Sequence, residues 1–122
     1  MINIFAVFFG GGLGSLLRFG ISKWVLNFYT GNFPLGTFIS NMLSCIILAA
    51  VVIFSKNKID NELIKLLLIT GFCGGFSTFS TFSFETVDLL KSGNYVVAFL
   101  NIFVSIAVGV GLIYFLLKNQ IQ

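Results

Sequence analysis

Gly71-Phe72-Cys73-Gly74-Gly75-Phe76-Ser77-Thr78-Phe79-Ser80-Thr81-Phe82-Ser83 is the stretch on which the reading of this chain turns. Each glycine costs about 1 kcal/mol relative to alanine inside a helix, and Ser and Thr compete for the backbone's own hydrogen bonds. The residues upstream, from Leu66 to Thr70, are apolar enough for a bilayer, so the weak helix formers fall at the middle of a membrane span. That placement predicts a helix broken near Gly74 to Ser77. A break at such depth is tolerated only where protein or a cavity surrounds it, because unpaired carbonyls in hydrocarbon are costly. Beyond the break, Phe79 and Phe82 stand at i and i+3, as do Ser77, Ser80 and Ser83, so rings and hydroxyls form adjacent faces. A stripe of Phe is ordinarily core. Phe interleaved with five hydroxyls makes a poor core and a better lining.

The composition surrounding this stretch is that of a membrane protein. Of 122 residues 57% are hydrophobic and 9% charged, with sixteen Phe, one Pro and no His. A soluble domain carries roughly 25% charged residues; here uninterrupted neutral stretches run over 1–17, 24–55, 66–84 and 92–117. Disorder, a disulfide scaffold and nucleic-acid binding are excluded by the same figures, since a net charge of +3 from scattered Lys and Arg forms no basic patch. Zinc sites and Ser or Cys nucleophiles lack the partner groups they require, so no enzyme is expected. Cys45 and Cys73 read as small buried hydrophobes. The acids Asp60, Glu62, Glu85 and Asp88 lie at or beyond the ends of apolar runs and read as solvated surface.

A hydrocarbon core of about 30 Å needs about 20 residues of helix, which places one all-α domain over residues 1–122 with spans near 3–26, 34–55, 64–89 and 95–117. Tyr29 to Phe33 reads as a turn, with Pro34 in the first turn of the second helix. Lys56 to Glu62 and Lys91 to Asn94 read as the other loops. The first apolar run lacks a basic segment before it and is interrupted by glycines, so a cleaved signal peptide is not expected. Four spans put both termini and the 56–62 loop on one side. That side holds Lys56, Lys58, Lys65 and Lys118, against Lys23, Lys91 and, if it reaches so far, Arg18 on the other. So small a difference fixes orientation weakly and permits insertion either way round. There is no internal repeat, so any inverted symmetry must come from pairing two chains.

Several polar residues sit where lipid would reject them. Gly10 and Gly14, like Ser105 and Gly109, form small-xxx-small pairs that let helices approach closely; with no strand before it and no Lys-Ser/Thr after it, the Gly10–Gly14 run is not a phosphate loop. Arg18 lies inside the first apolar run, where it either snorkels to an interface beside Lys23 or draws anions to a vestibule. Asn41 shares a helix face with Thr37 and either bonds a neighbouring helix or solvates an ion. Amides, hydroxyls and the electropositive edges of Phe rings can replace water around a small anion. Acidic rings are absent from the spans, so anion passage fits better than cation passage. Residue chemistry alone stops at a small anion.

The chain resembles the Fluc (CrcB) family of fluoride channels over nearly its whole length. The likeness rests on Gly14-x-x-x-Arg18, on Gly36-Thr37 followed by Asn41, and on the Gly71–Ser83 run. The resemblance implies a passive fluoride channel of the cell membrane that exports fluoride and relieves its toxicity, built as an antiparallel, dual-topology homodimer with two pores. It further implies a central sodium ion held by backbone carbonyls of the broken helix. By position Phe79 and Phe82 look like the pore phenylalanines, Asn41 like the pore asparagine and Arg18 like the vestibule arginine. Gly74 and Ser77 look like the carbonyl donors to sodium, and Ser80, Thr81, Ser83, Thr37 and Ser105 are candidates for a hydroxyl track. Two positions depart from the family pattern: Ser77-Thr78 stands where Thr-Thr is usual, and Ser44 stands where Gly often follows the second-helix Asn. Pairing with a homologous chain instead of a second copy stays open. The rival reading is a small multidrug-type proton-coupled exporter, also a four-span dimer, but that chemistry needs a Glu in the first span, which has none. An assembly subunit would leave the hydroxyl and Phe run without a purpose.

Overall fold

Apolar runs without internal proline propagate as helix, and the computed structural model, which describes residues 1–57 and 62–121, is built from them alone. Helix α1 covers Ile2–Leu26 and α2 covers Leu35–Asn57. The third span is composite: α3 (Glu62–Lys65), a π-helical stretch (Leu66–Cys73), α4 (Gly74–Phe76) and, after an interruption, α5 (Phe79–Lys91). Helix α6 covers Tyr95–Ile121. By length and hydropathy four spans can cross a membrane: Ile2–Leu26, Leu35–Ser55, Glu62–Lys91 and Tyr95–Lys118. Lys58 and Asp60 of the expected second loop lie outside the described residues, as does the side chain of Lys56.

Local chemistry sets the ends. Pro34 precedes α2 and its carbonyl accepts the N–H of Phe38 at 3.1 Å, so the missing proline donor costs the helix nothing. At the end of α5, Asn94 N–H bonds the Leu89 carbonyl at 2.9 Å and Gly93 N–H bonds Leu90 at 3.2 Å. This is a Schellman closure, and it needs the left-handed φ of +85° that Gly93 supplies. Trp24 and Phe28 stack edge to face at the end of α1, with Tyr95 exposed at the start of α6 on the same side, where interfacial aromatics belong.

Packing explains the glycines. A methyl placed on Gly10 would strike the Leu67 carbonyl and stand 2.9 Å from the Phe72 nitrogen; one on Gly14 would strike the Phe72 carbonyl; one on Gly75 would strike the Gly11 carbonyl. Helix α1 and the third span therefore meet backbone to backbone, with Gly10, Gly14, Gly71 and Gly75 as the matching small surfaces. Helix α2 packs on α6, where a methyl added to Gly109 would stand 3.5 Å from the Met42 Cε and 3.6 Å from the Cys45 Sγ, in ordinary contact. Few apolar side chains are enclosed: among the described residues Phe76, Ala49 and Ala98 are fully buried, whereas large residues from Ile4 to Phe115 face outward. That inversion of the soluble pattern is what a lipid solvent requires.

The helix opens later than its glycines suggest. Gly74 is helical (φ −63°, ψ −35°), and the extended residues are Ser77 (φ −88°, ψ 156°) and Thr78 (φ −152°, ψ 121°). The glycines serve the close approach to α1, and the interruption falls where hydroxyl side chains can cap the new ends.

Candidate functional site

Two extended residues at mid-span strand backbone groups, and neighbouring helices supply partners for them. Thr78 starts α5 as its N-cap, its Oγ1 accepting the N–H of Thr81 at 3.2 Å. Its own N–H donates to Asn41 Oδ1 on α2 at 3.0 Å. On the other flank, Ser77 Oγ and Ser44 Oγ both donate to the Cys73 carbonyl, at 2.9 and 3.1 Å. Arg18 Nε, on α1, donates to the Gly75 carbonyl at 3.2 Å. Arg18 thus neither snorkels alone nor stands free in a vestibule; in this chain its guanidinium closes an open helix end. Asn41 likewise makes an interhelical bond, to the backbone of the break.

The diverted donors leave something over. In an unbroken helix the N–H groups of Thr78 and Thr81 would bond the carbonyls of Gly74 and Ser77; here they go to Asn41 and to the Thr78 hydroxyl. Both carbonyl oxygens are thereby freed as acceptors. No cluster of three or more metal-ligating side chains occurs among the described residues, so an ion held here would be held by main-chain oxygen.

Beside the break lies a cavity of about 300 Å³ between α2, α5 and α6. Asn41, Ser77, Thr78, Phe79, Phe82 and Ser105 contribute to its lining, with Met42, Cys45, Ile106 and Gly109. The Phe79 and Phe82 rings are 6.1 Å apart between centroids and tilted by 40°. Phe82 is half-buried, but Phe79 is 80% exposed, so the cavity is walled on one side only within a single chain. The hydroxyls of Ser80 and Thr81 approach Thr78 Oγ1 at 3.2 and 3.3 Å.

Not every expected site residue gathers here. Thr37 is buried and lines a different cavity, of about 510 Å³, near the 27–34 turn, together with Glu85 and Asp88. Ser83 is half-buried on α5 outside both cavities, and Arg18 borders neither. Gly74 and Ser77 line a third space, of about 250 Å³, with Ser44 and Cys73. The reading of Glu85 as solvated surface needs correction: it is half-buried on α5, and its Oε1 is enclosed with no hydrogen-bond partner. The turn after α1 folds back over that end of the bundle, which an apolar-run argument cannot anticipate. Ser77 also uses its side chain and not its backbone alone. Ser44, which departs from the family pattern, bonds the Cys73 carbonyl. Asn101 and Thr86 escaped notice: Asn101, 1% exposed on α6, donates to Thr86 Oγ1 at 2.9 Å. A lone amide inside the most apolar of the four spans was the available signal.

Comparison with known proteins agrees over most of the chain. The sequence profile of the family described as CrcB-like protein, Camphor Resistance (CrcB), matches residues 5–116. A protein of Azobacteroides pseudotrichonymphae named fluoride-specific ion channel FluC is 44% identical over 108 residues, 88% of this chain and 86% of its own. Proteins of the same name from Oceanobacillus iheyensis and Pyrococcus abyssi are 42% identical over 115 residues and 43% over 107, covering 93% and 86% of this chain and 88% and 85% of theirs.

Proposed function

Because this chain belongs to the CrcB-like protein family, we propose that it is a passive, fluoride-selective channel of the cell membrane that lets fluoride leave the cytoplasm. It is a transporter and not an enzyme. The observation that carries the reading is the cavity beside the break, where an amide, several hydroxyls and two Phe rings face a space large enough for a small ion. Fluoride is small and strongly hydrated, so it needs donors along the whole path; chloride, larger and softer, gains less from them. The Asn41 side-chain oxygen is already engaged by the Thr78 N–H, which leaves the N–H groups of that amide as the part available to an anion.

Within that reading the ion path follows Asn41, Phe79, Phe82 and Ser105, with Ser80, Thr81, Ser83 and Thr37 extending a hydroxyl track along α5 and toward the 27–34 end. Arg18 contributes a positive charge close to the break while capping Gly75. The functional unit is a pair of antiparallel chains. The exposed ring of Phe79 supports this, since a pore wall that faces lipid in one chain is completed by a second. Antiparallel pairing brings the Gly74 and Ser77 carbonyls of both chains to the two-fold axis. Four main-chain oxygens suit a hard monovalent cation, and sodium is the ion adopted, as a structural ion and not a transported one.

Proteoliposomes loaded with fluoride or chloride test the function directly. Fluoride is expected to leave electrogenically, without a proton gradient, while chloride stays. Equal release of both anions, or release only against a proton gradient, would sink the proposal and favour the exporter.

A further inference from the structure

Helices α5 and α6 are joined by the tight Gly93 closure, so residues equidistant from that turn face one another. Leu89 and Ala98 are both buried, Thr86 and Asn101 are bonded, and Phe82 and Ser105 lie on one cavity wall. Between the last two pairs runs a chain of three hydrogen bonds. Thr86 Oγ1 donates to the Phe82 carbonyl at 2.8 Å, which leaves its lone pairs free. Asn101 Nδ2 donates to one of these at 2.9 Å, and Asn101 Oδ1 accepts from Ser105 Oγ at 3.3 Å. Thr86 is 7% and Asn101 1% exposed, so neither has water as an alternative.

Taking the cavity as the fluoride path, on which this inference rests, we propose that Asn101 is a positioning residue for that path, holding Phe82 through Thr86 and the Ser105 hydroxyl through its own carbonyl oxygen. The carbonyl of Phe82 is tied through Thr86 to α6, so α5 cannot slide or rotate against α6 at the level of the ring without breaking a buried bond. The proton of Ser105 points to Asn101. At 3.3 Å that bond is the loosest of the three, beyond the usual O–H···O range. The hydroxyl can therefore be surrendered to a passing anion while the Asn101–Thr86 tether stays. A plain adhesive between α5 and α6 would need the tether but would have no use for a loose link to a cavity wall.

The test uses the full chain in liposomes, with flux normalised to assembled dimer. Asn101→Leu and Thr86→Val preserve shape and remove the polar groups; Thr86→Ser keeps the hydroxyl. Each of the first two is expected to lower fluoride flux per dimer about ten-fold, the effect of losing roughly one buried hydrogen bond at the barrier. The double variant should fall no further than either single one, because both cut the same tether. Thr86→Ser should conduct like the parent. Unchanged flux per dimer in Asn101→Leu and Thr86→Val, or equal loss in Thr86→Ser and Thr86→Val, would overturn the proposal. Should Asn101→Leu not assemble, the Thr86 pair decides alone, since Thr86→Val replaces the hydroxyl by a methyl and Thr86→Ser keeps the hydroxyl while losing a methyl. A parent protein that releases no fluoride would instead overturn the reading of the cavity itself.

Discussion

Phe79 is the residue whose position is hardest to explain as packing. A ring four-fifths exposed at mid-span, one turn from Phe82 and flanked by hydroxyls, contributes little to the core of its own chain. Its electropositive edge is the part that distinguishes it from an aliphatic side chain of similar bulk. Phe79→Ile and Phe82→Ile are each expected to reduce fluoride flux at least about ten-fold, equivalent to about 1.4 kcal/mol at the barrier, while the dimer still elutes intact. Normal flux in both would return the rings to a structural role. These two residues were legible in the sequence because i, i+3 spacing fixes a shared face whatever the neighbours do. Arg18 and Asn41 were legible only as misplaced polar groups, and Ser44 only as a departure from the family pattern. Their partners are main-chain atoms of another helix, and no side-chain pattern announces a free carbonyl. Asn101 illustrates the same limit, for its meaning depends on Thr86 fifteen residues away across a turn.

At the scale of the element, the third span combines two requirements that compete for the same residues. Close approach to α1 needs glycine at Gly71 and Gly75, and the break needs side chains that cap. Composition therefore located the interruption near Gly74 to Ser77, where Ser77 is the first extended residue, but could not single out that residue, because a glycine that lets backbones touch looks the same in sequence as one that unwinds. Gly75→Ala is expected to disrupt assembly, since its methyl would strike the Gly11 carbonyl and stand 3.0 Å from the Gly11 Cα. Overpacking of that kind costs roughly 1–3 kcal/mol. Gly12→Ala, with open space around it, should leave dimer yield and flux unchanged. The freed carbonyls add a second arm. Exchange of sodium for a bulky organic cation should loosen the dimer and slow fluoride, and Ser77→Thr, which keeps both the carbonyl and the hydroxyl bonded to Cys73, should respond as the parent does. Undiminished flux and assembly after thorough sodium removal would remove the ion from the account.

For the whole molecule, the feature to be explained is a half-walled cavity in a chain whose lysines differ little in number between its two ends. Four spans, their all-helical character and the lipid-facing surface follow from the apolar runs alone. What covers Phe79 does not, because a surface for lipid and a surface for another copy of the chain are both apolar. Exposure alone does not separate the two, since Gly74, with only the Ile69 carbonyl 3.9 Å from an added methyl, and Gly12, with nothing near one, are both exposed. Lys23 and Lys118 lie along Phe19 and Phe115, at opposite ends of the bundle, so charge is shared between the two membrane faces. With so slight a bias, a few added charges should decide insertion. Adding Lys residues in the 27–34 turn of one copy, and beyond Lys118 in another, is expected to force opposite orientations. Cysteine accessibility from each side of the membrane would verify the orientations. Each form expressed alone should release fluoride from vesicles poorly, and co-expression should restore the flux. Full activity from one forced orientation would show that the second wall of the cavity comes from a parallel neighbour or from lipid, and the antiparallel dimer would have to be abandoned.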